Sequence, residues 1–61
     1  MKSYQVDVSR DGKFWLIHIP EIDRSTEAVR YRDVRMMAAD LIQIIVGTTE
    51  FEMRVTVSPP S

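Results

Sequence analysis

His18 is the only histidine of the chain and the first side chain to consider for acid–base chemistry. A histidine base activates a serine when the two side chains are held within hydrogen-bond reach. Ser3, Ser9 and Ser25 qualify by residue type alone, and none of them lies in a nucleophile motif. We therefore interpret His18 as a strand residue that faces solvent or an interface, with general acid–base catalysis as the alternative interpretation.

Carboxylates near the start of the chain are the second candidates, because clustered carboxylates hold the two metal ions of many nucleases. Asp11 is accounted for by a turn, Asp7 is expected on an open sheet face, and Glu21 and Asp23 share one loop. The chain has no cysteine and a single histidine, which excludes thiolate sites and histidine clusters. The sequence therefore predicts no catalytic residues, no metal site and no cofactor.

Four arginines within twelve residues form the strongest charge feature of the sequence. Guanidinium groups bind both phosphates and carboxylates in bidentate geometry. Three interpretations stay open: a solvated rim partly neutralised by Glu27 and Asp33, a surface for an acidic protein, and a nucleic-acid contact. Proteins that bind single strands usually place exposed aromatics among the basic residues, and only Tyr31 does so here. The four residues are Arg24, Arg30, Arg32 and Arg35.

The chain of 61 residues predicts one domain, residues 1–61, near the lower size limit for independent folding. Its 44% apolar and 28% charged residues are typical of a globular protein, but so small a core contributes little net stability. Because no disulfide can compensate, we expect a homodimer or larger homo-oligomer.

A net charge of −1 gives no general attraction to nucleic acid. No apolar run approaches the ~20 residues of a membrane span and no signal peptide is evident, so we expect a cytoplasmic protein.

The first twenty residues predict a β-hairpin. Polar and apolar residues alternate from Ser3 to Ser9, Asp11-Gly12 is a preferred two-residue turn, and an apolar strand from Phe14 to Ile19 ends at Pro20. With Asp11 and Gly12 at the centre of the turn, the apolar residues of the first strand share a face with Trp15, and we expect this face to be the core. The predicted cross-strand pairs are Val8 with Trp15, Val6 with Ile17, and Tyr4 with Ile19.

A weaker strand over residues 25–30, an amphipathic helix and a strand from Phe51 to Val57 follow. The helix is expected to end at Gly47 and to bury Trp15 and Ile17 against Met37 and Leu41. We predict an α+β fold, β-β-β-α-β, with a four-stranded sheet of order 3-2-1-4 and the helix on one face. Residues 58–61 are expected to fray. The predicted core stripe of the helix is Val34, Met37, Ala38, Leu41 and Ile45, and the surplus apolar residues are Met36, Ile42 and Ile44.

The sheet face that points away from the helix carries Phe14, Leu16 and His18 in a row on the second strand. An open sheet face is usually polar, so three sizeable side chains there predict a contact patch.

These segments resemble HicB-type antitoxins, and most closely the short actinobacterial and phage-borne members of that family. The resemblance covers residues 3–57. It rests on the alternating run Tyr4–Val8, the Asp11-Gly12 turn, the apolar strand that ends in Pro20-Glu21-Ile22, the short third strand and the alanine-containing helix. It implies a partial RNase H-like fold that binds and blocks a small ribonuclease toxin.

Three features depart from the family pattern. Asp23-Arg24 stands where the common loop continues with Pro-Gly, and Asp33-Val34-Arg35 replaces the usual acidic pair before the helix alanine. The chain ends at Ser61, where many such antitoxins continue into a DNA-binding segment. The resemblance therefore implies the toxin-binding module without that segment.

The sequence as a whole predicts a non-enzymatic protein-binding module that resembles an antitoxin and forms a homodimer. One alternative is a small nucleic-acid-binding protein that uses the Arg24–Arg35 cluster. The other is an orphan phage or mobile-element protein that binds another host protein. The predicted interface residues are Phe14, Leu16, His18, Arg30, Arg32, Arg35 and Met36.

Overall fold

The computed structural model describes residues 1–59, so the part of the predicted frayed tail formed by Pro60 and Ser61 lies outside the described residues. Two one-turn 3₁₀ helices, Pro20–Ile22 and Tyr31–Asp33, connect the main elements. Ser58 continues the sheet pairing, because its N–H donates to Val8 O at 2.8 Å. The main elements are β1 (Ser3–Asp11), β2 (Phe14–Ile19), β3 (Arg24–Ala28), α1 (Val34–Val46) and β4 (Glu52–Val57).

The four strands form one mixed sheet in the order β3-β2-β1-β4. β2 is antiparallel to both of its neighbours, and β4 lies parallel to β1. The chain therefore crosses from one edge of the sheet to the other through α1, which packs mainly against β2 and β3. This confirms the predicted α+β fold, the β-β-β-α-β order and the 3-2-1-4 topology. No helix within residues 1–59 is long and apolar enough to cross a membrane.

The register of the first hairpin differs from the prediction. Asp11 pairs with Phe14, so Gly12 and Lys13, and not Asp11 and Gly12, are the central residues of the turn. Gly12 has a φ of 62°, and glycine at the first central position is the requirement of a type II′ turn. The predicted pairing of Val8 with Trp15 is wrong, since Val8 pairs with Ile17. The shift moves each partner by two residues, which preserves the alternation and leaves every side chain on its predicted face.

The buried core lies between α1 and the sheet and contains apolar residues only. On α1 its members recur every fourth residue, at Val34, Ala38 and Ile42, and the small Ala38 at the centre lets the helix lie close to the strands. The prediction that Ile42 is surplus is wrong because its side chain is fully buried. The predicted core position of Ile45 is also wrong, since this side chain is 41% exposed, and Met37 and Leu41 lie at the margin of the core. The remaining core residues are Tyr4, Val6, Val8, Ile17, Ile19 and Ala28.

Trp15 also departs from its predicted position, because it is half-buried and packs at the edge of the core. Its ring makes an edge-to-face contact with Tyr31 at 5.0 Å between ring centres, and the Arg10 guanidinium lies 4.9 Å from its centre. The indole is thus covered by an aromatic ring and a cation in addition to the core residues against which it packs. Ile17, its predicted companion, is fully buried as expected.

The two ends of α1 differ in how well they are capped. Gly47 ends the helix as predicted, with a φ of 84° and its N–H donating to Gln43 O at 2.8 Å. Asp33 occupies the N-cap position, but its side chain makes no capping hydrogen bond. The free backbone N–H groups of the first helical turn therefore do not donate to the Asp33 side chain.

Candidate functional site

The open face of the sheet carries the predicted patch of Phe14, Leu16 and His18. Along β2 the fully buried Ile17 and Ile19 alternate with these residues, so the three side chains point away from α1. Phe14 is 43% exposed, and Leu16 and His18 are half-buried. Leu16 lies between Ser9 of β1 and Glu27 of β3, and Phe14 lies opposite Asp11. Phe14 and Leu16 therefore form an apolar strip on a face that is otherwise polar.

A row of polar side chains crosses the same face beside the apolar strip. His18 pairs with Ser25 of β3 on one side and with Asp7 of β1 on the other. A hydrogen bond joins His18 Nδ1 and Ser25 Oγ at 2.9 Å, and the tautomer of the imidazole decides which group donates. Gln5 Nε2 donates to Asp7 Oδ1 at 3.1 Å and to Thr56 Oγ1 at 2.8 Å. The first hydrogen bond joins β2 to β3, and the other two link residues of β1 to one another and to β4.

Ser25, His18 and Asp7 are the residue types of a catalytic triad, but their arrangement favours a structural role. Asp7 accepts its side-chain hydrogen bond from Gln5, whereas a triad aspartate must orient the imidazole. The three residues lie on the flat face of a sheet, where ladder pairing directs backbone N–H groups along the sheet plane and away from a developing oxyanion. Cross-strand polar pairs of this kind stabilise sheets. Within residues 1–59, no group of three His, Cys, Asp or Glu side chains could hold a metal ion.

A groove of about 230 Å³ opens on the other side of the sheet, where α1 begins. Val34 of α1 and Val55 of β4 supply apolar lining, and Tyr31, Arg32 and Arg35 supply the polar groups. The salt bridge found within residues 1–59 joins Lys2 and Glu21, so neither arginine of the groove has a described carboxylate within 4.0 Å. The groove therefore offers two guanidinium groups beside an apolar floor, which suits an acidic side chain or another anion.

The structure divides the predicted arginine cluster. Arg24 begins β3 and lies beside the Asp23 carbonyl, with 3.4 Å between Nη1 and the oxygen. Arg30 follows the other end of that strand and precedes the groove. The groove brings together Arg32 and Arg35, but Arg24 lies at the opposite end of β3. The four arginines therefore do not form one continuous surface.

The predicted interface residues occupy two surfaces. Phe14, Leu16 and His18 lie on the open face, whereas Arg32 and Arg35 lie on the helix side, where Met36 is 56% exposed and Arg30 is also exposed. Sequence reasoning missed the groove because it depends on Val55, which lies twenty residues after Arg35. The sequence signal for the groove was the alternation of apolar and polar residues along β4, which places Val55 on the same sheet face as the core.

Comparison of the chain with protein-family models, with curated proteins and with solved structures finds no match.

Proposed function

We propose that this protein is a non-enzymatic protein-binding module of the antitoxin type, which binds and blocks a small ribonuclease toxin. The observation that carries the proposal is the apolar strip of Phe14 and Leu16, held on rigid strands and surrounded by polar side chains. Interfaces concentrate their binding energy in a few such apolar anchors with a polar rim. The strand and helix order agrees with the partial RNase H-like module that the resemblance to HicB-type antitoxins implies.

His18 and Ser25 extend the polar rim beside the anchors, and Asp7 adds a negative charge to it. A ribonuclease toxin binds RNA, so its surface must carry positive charge. A rim that contains Asp7, Asp11 and Glu27 next to Phe14 and Leu16 is complementary to such a surface. A partner that cleaves cellular RNA also implies a cytoplasmic location for this protein.

The test captures partners from native cells with the tagged chain and measures ribonuclease inhibition. We expect the parent protein to recover a small basic ribonuclease and to inhibit it, and we expect Phe14→Ser/Leu16→Ser to lose both properties while its circular dichroism is unchanged. Ile44→Ser is the matched control, since Ile44 is a 77% exposed apolar residue on α1. If the strip variant inhibits the ribonuclease as well as the control does, the strip is not the interface. Recovery of a different host protein through the strip would favour the orphan phage or mobile-element interpretation.

A nucleic-acid-binding function is the second candidate, and the pair Arg32 and Arg35 at the groove favours it. Two observations argue against a nucleic-acid-binding function. Arg24 is separated from this pair, and Tyr31 packs edge-to-face on Trp15, which leaves the Tyr31 ring less available for stacking on a base. Binding to single-stranded RNA or duplex DNA that weakens steeply with salt, and that Arg32→Glu/Arg35→Glu abolishes, would support this candidate. Undetectable binding of both probes at low salt would exclude it.

A further inference from the structure

β4 is an edge strand whose outer side has no partner within residues 1–59. Glu52 N–H donates to Lys2 O at 2.9 Å and Ser58 N–H donates to Val8 O at 2.8 Å. Hydrogen-bonding groups alternate sides along a strand, so the even-numbered residues between them also point at β1. The N–H and C=O groups of Met53, Val55 and Val57 consequently point outward, as an unpaired strand edge.

The two edges of the sheet differ in their side chains. β3, at the other edge, has the sequence Arg-Ser-Thr-Glu-Ala and lies beneath α1. β4 places Met53, Val55 and Val57 on the core face, and α1 leaves this side of the sheet incompletely covered, with Val57 40% exposed. Natural sheets protect their edges with charges, proline or a covering element. β4 is therefore the edge on which an added strand would bury further apolar surface.

We propose that β4 pairs antiparallel with β4 of a second copy across a two-fold axis at Met53. Glu52 and Arg54 both lie on the open face, two residues apart. With Met53 on the axis, Glu52 of each copy lies opposite Arg54 of the other, which forms two favourable charge pairs. The same pairing places Phe51 of one copy beside Val55 of the other. The result is one continuous eight-stranded sheet.

Other two-fold registers lack this complementarity. An axis at Arg54 sets the two Arg54 side chains against each other, which is unfavourable. An axis at Val55 leaves Glu52 opposite Ser58 and Arg54 opposite Thr56, so neither charge has a partner. A two-fold interface requires a surface complementary to itself, and the Glu52–Met53–Arg54 segment has this property. This argument favours a second copy as the occupant over an unrelated strand.

Pairing through β4 would produce the self-association that we expect from so small a core. It does not depend on the proposed toxin contact. Sedimentation equilibrium of the full chain at micromolar concentration tests it. The parent should be dimeric. Glu52→Arg alone and Arg54→Glu alone each convert two opposite-charge pairs into two like-charge pairs, so each should weaken the dimer by about tenfold or more. The double variant Glu52→Arg/Arg54→Glu should regain the parental dimer, because both pairs are restored with reversed polarity.

A mixing experiment sharpens the test. In an equimolar mixture of the two single variants, every cross-strand pair is again opposite in charge, so a heterodimer should form where each variant alone is largely monomeric. Asp40→Arg, the same kind of charge reversal at an exposed residue of α1, is the matched control and should remain as dimeric as the parent. A monomeric parent, a double variant that stays as weak as the single variants, or single variants that dimerise like the parent would overturn the proposal. None of these readouts uses the toxin-like partner, so failure here leaves the proposal for Phe14 and Leu16 standing.

Discussion

Arg10 and Trp15 are direct partners across the β1–β2 hairpin, and the Arg10 Cζ atom lies 4.9 Å from the centre of the indole ring. The Arg10 Nε also donates to Gly12 O at 2.9 Å, so one guanidinium group contacts both the turn and the aromatic ring. The observed register, in which Gly12 and Lys13 form the turn, places Arg10 directly opposite Trp15 and so permits this double contact. It gives a physical reason for the difference from the predicted hairpin.

Arg10→Ala should therefore lower the free energy of unfolding by about 0.5–1 kcal/mol, the usual value of an exposed cation–π contact. It should also shift the fluorescence of Trp15 to longer wavelength, because the ring loses part of its cover. Trp15 is the only tryptophan, so the emission reports on this site alone. Lys13→Ala removes a charge from the same turn and serves as the control. Equal effects of the two substitutions on stability and emission would show that the contact with the ring has no energetic role.

Trp15→Ala should cost about 2–3 kcal/mol, below the range of about 3–5 kcal/mol for a fully buried tryptophan, because Trp15 is half-buried. A domain of this size has only a few kcal/mol of stability, so the variant should be folded in part at 25 °C. Urea unfolding monitored by far-ultraviolet circular dichroism would measure the loss. Complete unfolding in buffer would indicate that Trp15 contributes as a full core residue.

Ile42→Val should lower the free energy of unfolding by about 0.5–1.5 kcal/mol, since it removes one methylene from a fully buried side chain. Ile44→Val makes the same chemical change at a residue that is 77% exposed and should change stability by less than about 0.5 kcal/mol. The difference between the two losses in the free energy of unfolding shows which stripe of α1 faces the sheet. Equal losses in chemical denaturation would mean that the helix presents a different stripe to the sheet.

Gly47→Ala should destabilise the protein by about 1 kcal/mol, because residue 47 has a φ of 84°, which L-residues other than glycine adopt with strain. Apart from its own chain neighbours, no atom of residues 1–59 lies within 4 Å of the position that a Cβ would occupy, so the cost comes from the backbone conformation. Gly47→Asn should cost less, since asparagine tolerates the left-handed conformation. Thermal unfolding of both variants distinguishes backbone strain from a steric clash, which would penalise the larger asparagine more.

The hydrogen bond between His18 and Ser25 should have a small coupling energy, about 0.2–1 kcal/mol, as a cross-strand pair on an open face. A double-mutant cycle with His18→Ala and Ser25→Ala would measure it through urea unfolding. Both single variants should retain partner capture better than Phe14→Ser/Leu16→Ser, because they change the rim and not the apolar anchors. Loss of ester hydrolysis in Ser25→Ala, relative to a measurable parental rate, would instead support a catalytic role.

The sequence was sufficient to predict which residues of the sheet share a face. Alternation has a period of two, so the prediction survived a register error of two residues, and Ile17 and Leu16 lie on their expected sides. The turn could not be predicted in the same way. Both Asp11-Gly12 and Gly12-Lys13 place the glycine where a positive φ is allowed, and the contacts of Arg10 favour the second arrangement.

The orientation of the helix was harder to predict because α1 is apolar on most of its surface. With Leu41, Ile42, Ile44 and Ile45 all apolar, hydrophobic periodicity alone does not select one stripe. The structure selects Ile42 and leaves Ile44 exposed. The open-face patch required only alternation within β2 and was predicted. The groove depends on the position of Val55 of β4 relative to the start of α1, which is a tertiary relationship that alternation within β4 alone does not specify.

The pairing of β4 with β1 joins two segments that lie far apart in the sequence, as in the hydrogen bond between Gln5 and Thr56, 51 residues apart. During synthesis, β1 therefore emerges well before β4, its outer neighbour in the sheet. Until β4 is available, the outer edge of β1, which includes Val6 and Val8, has unpaired backbone groups. Such an edge can mispair with other nascent chains. Closing so long a loop also slows folding relative to a helical protein of this size. The native sheet can be completed only after β4 has been synthesised, so one side of β1 stays unpaired until then.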